Sequence, residues 1–185
     1  MRSLSMPGAK RGSGPRTLLG LACAVLVASA AAQPRGGPTP LTAAQRAVLD
    51  RFVGTWDVTA TTRVPRMAPM KSTFTWAWVL ERRYLRGESS IKSDGSQEMQ
   101  VLGHDVSGYP LWVFSSSGLA FQLSRGEWNE ATRTMEWKNA PSDPLLYTTR
   151  CTFENATTMR CSGQVKNLGG KVVIDSESVA LRRTP

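Results

Sequence analysis

Thr73-Phe74-Thr75-Trp76-Ala77-Trp78-Val79-Leu80 places a large apolar side chain at every second position, with Thr73, Thr75 and Ala77 between them. A period of two is the spacing of a strand that buries one face and wets the other. Working outward, the same alternation holds at Trp56, Val58 and Ala60, and further runs bounded by turns lie around Tyr84 to Ile91, from Gln97 to Val106 and from Pro110 to Ser115. Leu119, Phe121 and Leu123 lead to a loop near Asn129-Glu130, and further strands fit 133–138, 145–154, 158–165 and 171–182. Turn residues separate them: Ser93-Asp94-Gly95, Ser107-Gly108, Ser117-Gly118, Pro141-Ser-Asp-Pro144 and Asn167-Leu-Gly-Gly170.

About ten short strands with hairpin-length connections indicate an all-β, antiparallel up-and-down barrel. Closure removes the edges that an open sheet of that size would expose, and a sandwich would want longer crossovers. One helix precedes the strands. Thr42-Ala-Ala-Gln45 is a capping box, and Leu41, Ala44, Val48, Leu49 and Phe52 recur at helical spacing.

The front of the 185-residue chain differs in kind. Residues 1–16 are basic and rich in Gly, Ser and Pro; an apolar run from Leu18 to Ala28 follows, then the small-residue exits Ala28-Ser-Ala30 and Ala30-Ala-Ala32. These are the three parts of a secretory signal peptide. The expected division is a signal over 1–32, a flexible leader over 33–40 and a barrel domain over 41–185. The apolar run is shorter than the ~20 residues a spanning helix needs. Gly20-Leu-Ala-Cys23 only faintly matches a lipoprotein box, since most of the run follows the cysteine. Location in the periplasm or outside the cell is therefore expected, with lipid anchoring at Cys23 the lesser reading.

Export decides the cysteine chemistry. Cys151 and Cys161 remain after processing, an even count in an oxidising compartment. A turn centred on Ala156 pairs 153 with 159 and 151 with 161. Opposed residues of an antiparallel pair lie ~4.5–5.5 Å apart at Cα, within the reach of a disulfide. The spacing fits neither a redox Cys-x-x-Cys nor a zinc site.

Charge excludes little else. Residues 1–32 supply four of the nine net positive charges, and the remaining 19 Lys/Arg are interspersed with 14 Asp/Glu. No clustered basic stripe suited to nucleic acid is present. No nucleophile elbow, phosphate loop or His-Glu-x-x-His helix occurs, so no catalytic residues are assigned. The lone His104 and the pair Met67 and Met70 are too sparse for a metal site, and no metal or cofactor is expected.

Gly54-Thr55-Trp56 at the start of the first strand resembles the Gly-x-Trp pattern of the calycins, which include lipocalins and fatty-acid-binding proteins. More closely, the chain resembles a bacterial family known as domain of unknown function fifteen seventy-nine. The matching stretches are Phe52-Val-Gly-Thr-Trp56, Trp78-Val-Leu-Glu-Arg-Arg-Tyr-Leu85, Gly103-His-Asp105, Leu111-Trp-Val-Phe-Ser-Ser-Ser-Gly118, Arg125-Gly-Glu127 and Ser178-Val-Ala-Leu-Arg182. Glu81-Arg82 stands where that family usually has Gly-Gly, and His104 where it usually has Tyr. The resemblance implies a calycin-like barrel and no particular activity. It also implies that Trp56 is structural, lying at the closed end beneath Arg182 or Arg183. Barrels of the nitrobindin type hold haem through a His, a position His104 does not match.

The aromatic content points to binding. Trp76, Trp78, Trp112 and Phe121 are candidate walls for a small apolar or amphipathic ligand, with Arg83 or Tyr84, whichever points inward, as its polar anchor. The competing reading is a solidly packed barrel acting as an envelope interaction module, and a weaker third is an enzyme in the barrel mouth. Oligomeric state is not encoded in these patterns.

Overall fold

The structure is a computed structural model that describes residues 40–184. It opens with α1 (Ala43–Asp50). The capping box forms as the sequence requires: Thr42 Oγ1 accepts from Gln45 N at 3.2 Å, and Gln45 Oε1 accepts from Thr42 N at 2.8 Å. Val48 and Leu49 turn into the protein, followed by the fully enclosed Phe52.

Eleven strands follow: β1 (Gly54–Val64), β2 (Met70–Val79), β3 (Tyr84–Ser89), β4 (Glu98–Leu102), β5 (Leu111–Ser115), β6 (Ala120–Leu123), β7 (Arg125–Asn129), β8 (Thr134–Lys138), β9 (Leu145–Phe153), β10 (Thr158–Asn167) and β11 (Val172–Arg182). They form one antiparallel sheet in the order β6-β5-β4-β3-β2-β1-β11-β10-β9-β8-β7. Every connection except that between β6 and β7 is a hairpin, and the first and last strands, β1 and β11, pair with each other. The result is a nearly closed, calycin-like barrel.

The count exceeds the expected ten because the run from Leu119 to Asn129 is divided. Its two halves, β6 and β7, are separated by Ser124 alone, yet β6 pairs with β5 and β7 with β8. One bent segment thus serves both edges of the sheet. The inward phase slips at the bend, from Phe121 and Leu123 to Gly126 and Trp128. The seam is tightened by the 103–110 loop, where Tyr109 N donates to Gly126 O at 2.9 Å.

The closed end holds the core. Phe52 packs edge-on against Phe153 at 5.0 Å and Trp76 at 5.9 Å, and Trp56 meets Phe153 at 6.2 Å. Leu85, Leu102 and Met135 complete the packing without measurable exposure. Trp137 Nε1 donates to Tyr109 O at 2.8 Å, so the buried indole N–H is satisfied. Cys151 and Cys161 stand directly opposite each other on β9 and β10 and form the expected disulfide, Cα to Cα 4.1 Å.

The β2–β3 turn is unusual. Leu80, Glu81 and Arg82 are three successive non-glycine residues at positive φ, 48°, 55° and 62°. Each such residue costs about 1–2 kcal/mol relative to the right-handed region. The turn is held by Arg82, which lies 5.4 Å over the Trp78 ring and 3.5 Å from Asp50 of α1. Glycine would adopt this backbone at no steric cost.

Candidate functional site

Register divides the barrel into two halves. Below, toward α1, the inward residues are large and buried. Above, toward the 65–69, 90–97, 116–119, 139–144 and 167–171 loops, the inward rows of β1, β10 and β11 are small or hydroxylic: Ala60 lies opposite Ser178, and Thr62 opposite Ser176, which in turn faces Gly163. Side chains of this size occupy less space than the rings below them. Consequently Val58, Phe74, Gln100, Phe121, Tyr147 and Ser178 point inward by register and yet remain half-buried.

One inward row runs Trp76, Gly87, Gln100, Val113, Phe121 across five neighbouring strands. Gly87 is required here. A Cβ at this position would lie 2.4 Å from the Phe74 ring and 2.8 Å from the Trp76 ring, so only glycine lets both rings lie against β3. Trp76 therefore forms the floor of the upper space. At the far end of the row Phe121 stacks on Tyr147, centroids 4.7 Å apart and planes within 20°. Asn139 braces that wall, accepting from Tyr147 N at 2.8 Å and donating to Leu145 O at 2.6 Å.

The same row carries a polar cluster at β4. Glu98 and Gln100 share the inward phase of buried Leu102 on β4. Lys92, from the loop before it, places Nζ 2.9 Å from Glu98 Oε2, with the two side chains only 18% and 22% exposed. Gln100 Nε2 donates to the other Glu98 oxygen, and Glu98 N donates to Ser89 Oγ at 2.8 Å. An ion pair this enclosed offers both a cation and an acceptor to a polar group within the barrel. Sequence reasoning passed over these residues because charged side chains read as outward; the signal was their phase, since Glu98 and Gln100 alternate in step with Leu102.

The six side chains named from sequence as ligand contacts are dispersed. Phe121 lies in the upper interior and Trp76 beneath it. Trp78 is lower, its Nε1 donating to Asp50 Oδ1 at 2.7 Å, and so packs against the helix. Tyr84 and Trp112 are on the outer face, edge to face at 6.5 Å, with Tyr84 lying over Gly103. Their neighbours Leu85, Leu111 and Val113 take the inward positions. Neither reaches the interior, a correction to their reading as wall and anchor. Arg83 lines an open cleft of about 470 Å³ at the closed end, with Leu41, Arg46 and residues 80–82, far from the aromatic wall.

Trp56 lies beneath a guanidinium, and the alternatives resolve: Arg182 is 4.5 Å over its ring and donates to Arg51 O. Such a stack contributes about 0.5–2 kcal/mol. Arg183 is on the surface, bound to Asp57 at 2.7 Å, and its guanidinium holds that carboxyl below the usual range. His104 sits under α1, 3.2 Å from Gln45 Nε2 and edge-on to Tyr109 at 4.8 Å. Burial lowers its pKa, Asp105 opposes that and Arg83 adds to it. Among the described residues no cluster of three His, Cys, Asp or Glu side chains is arranged to hold a metal ion, and no helix is long and apolar enough to cross a membrane. The expected signal peptide and Cys23 fall outside the described residues.

No family model matches the chain, and no curated protein does. Among solved structures, Rv2717c from M. tuberculosis is similar over 78% of this chain and 100% of that one, with TM-score 0.54 and 17% identity. A phycobiliprotein lyase, CPES from Guillardia theta, is similar over 74% of this chain and 90% of its own, at TM-score 0.43 and 16% identity. A redesigned barrel, mFAP1, bound to DFHBI, gives 74% and 99%, TM-score 0.38 and 13% identity. The likeness to Rv2717c shows a shared β-barrel fold.

Proposed function

We propose that this chain is an exported barrel that carries a small apolar or amphipathic ligand in its upper interior. Residues 1–32 act as the export signal, 33–40 as a leader and 41–185 as the binding domain, which reaches the periplasm or the exterior. Phe74, Phe121 and Tyr147 supply apolar contact above the Trp76 floor, and the Lys92–Glu98–Gln100 cluster receives the polar end. The observation that supports this reading is that inward-pointing side chains of the upper rows remain half-buried, unlike the fully enclosed residues below them. The disulfide accords with an oxidising compartment. The resemblance to domain of unknown function fifteen seventy-nine belongs to the same proposal and adds no activity to it.

Two measurements test it. Native mass spectrometry of protein gently purified from its own host is expected to show a retained small molecule. Titration with 1-anilinonaphthalene-8-sulfonate, an aromatic probe bearing one anion, is expected to saturate, and Phe121→Ala to weaken it about five- to tenfold through loss of one stacking partner. A bare mass together with no saturable probe fluorescence overturns the reading.

A further inference from the structure

We infer that the rim of the barrel mouth docks on an anionic lipid surface. Four of the five mouth loops end in an exposed apolar side chain: Met67 (48% exposed), Ile91 (68%), Leu119 (50%) and Leu168 (75%). Of the twelve large exposed hydrophobics among the described residues, only Leu80, Val106 and Leu181 lie at the other end. Apolar exposure is thus concentrated on one pole, where it has a use, instead of being scattered singly.

At that pole the unpaired cations outnumber the unpaired carboxylates. Arg63 pairs with Asp175 and Glu177 at 3.1 and 3.4 Å and Lys92 with Glu98, while Asp94 and Asp143 keep their charge, hydrogen-bonded to Ser96 and to Asn139 at 2.8 Å. Among the described residues, Arg66, Lys71, Lys166 and Lys171 stand around the same opening in no salt bridge. Cations ringing apolar tips match a bilayer surface bearing phosphates, because the tips enter the headgroup boundary while the basic groups remain at its level. A protein partner is a poorer fit. The tips sit on separate loops around an opening, forming no continuous face, and a fluid interface receives each one independently. Docked in this way, the mouth opens onto the lipid, and an apolar molecule passes between bilayer and barrel without crossing water.

The test is co-sedimentation with phosphatidylcholine vesicles, with and without about one third phosphatidylglycerol. Wild type is compared with Met67→Ser/Ile91→Ser/Leu119→Ser/Leu168→Ser and with Arg66→Gln/Lys166→Gln/Lys171→Gln, all sharing the same N-terminal residues so that any contribution from these is common. Wild type is expected to favour the anionic vesicles and to lose about tenfold in partitioning between ~0.05 and ~0.5 M salt. The apolar variant should lose about tenfold at low salt, and the charge variant its preference for phosphatidylglycerol. Unchanged urea midpoints establish that both variants fold, and unchanged probe binding keeps this result separate from the ligand reading. Absence of wild-type binding to anionic vesicles at low salt, equal binding by the apolar variant, or retention on a protein partner while vesicles are ignored overturns the inference.

Discussion

Replacing Gly126 by alanine adds one methyl group at the point where the barrel closes. Gly126 has no positive φ, so its backbone suits any residue and the cost is purely steric. The new Cβ would lie 2.0 Å from Tyr109 O and 2.8 Å from the Trp137 ring, far inside contact distance. The 103–110 loop must retreat by more than an ångström. That breaks the 2.9 Å bond from Tyr109 N to Gly126 O and draws Tyr109 O away from the indole N–H of Trp137, whose residue is 2% exposed. One lost hydrogen bond of about 1 kcal/mol and a buried donor left unmatched at about 1–3 kcal/mol give roughly 2–4 kcal/mol. At about 3 °C per kcal/mol for a domain of this size, the melting temperature should fall by about 6–12 °C. Urea unfolding followed by tryptophan fluorescence measures this directly. Gly118→Ala is the control with the opposite cause: φ is +88° and nothing lies within 4 Å, so only the left-handed backbone is penalised, by about 1–2 kcal/mol. If Gly126→Ala leaves the midpoint within about 0.5 kcal/mol of wild type, the seam is not where the barrel is held and the reasoning fails.

Reducing the Cys151–Cys161 bridge, or replacing both residues by serine, reopens a ten-residue separation and should cost about 2.7 kcal/mol, or about 8 °C in melting temperature; an unaltered melting curve after complete reduction refutes the staple. His104 is the chain's single histidine, so one proton resonance reports its titration without assignment. Its folded-state pKa lies below the ordinary 6.5, so between the two values the unfolded chain binds more protons. The contribution to stability is therefore complete above about pH 6.5 and is lost as pH falls toward the folded midpoint. A midpoint at or above 6.5 contradicts the burial of His104 under α1.

Much of the fold was legible because each strand that buries one face must alternate, and β1, β2 and β10 do so cleanly. The capping box and the 151–161 register were equally readable, since both follow from local spacing alone. The division at Ser124 was not, although a one-residue slip between Leu123 and Gly126 marks it. Alternation shows which face is buried without showing which neighbour pairs. The ligand wall was misjudged where ring size was allowed to outweigh phase. Tyr84 and Trp112 sit between inward residues, Leu85 after the first and Leu111 and Val113 around the second, and so face out. The reverse error hid Glu98 and Gln100, whose polarity suggested solvent while the phase of β4 directed them inside, and with them their loop partner Lys92.

The bend at Ser124 also determines how the wall can yield. Above Lys138, where β8 ends, the free edge of β6 has no strand beside it among the described residues, and Phe121 on that edge stacks on Tyr147 of β9. Parting them means rotating one benzyl group, with no ladder of amides to unzip. On the proposed reading, rotamer exchange at Phe121 would set the pace at which a guest enters from the side.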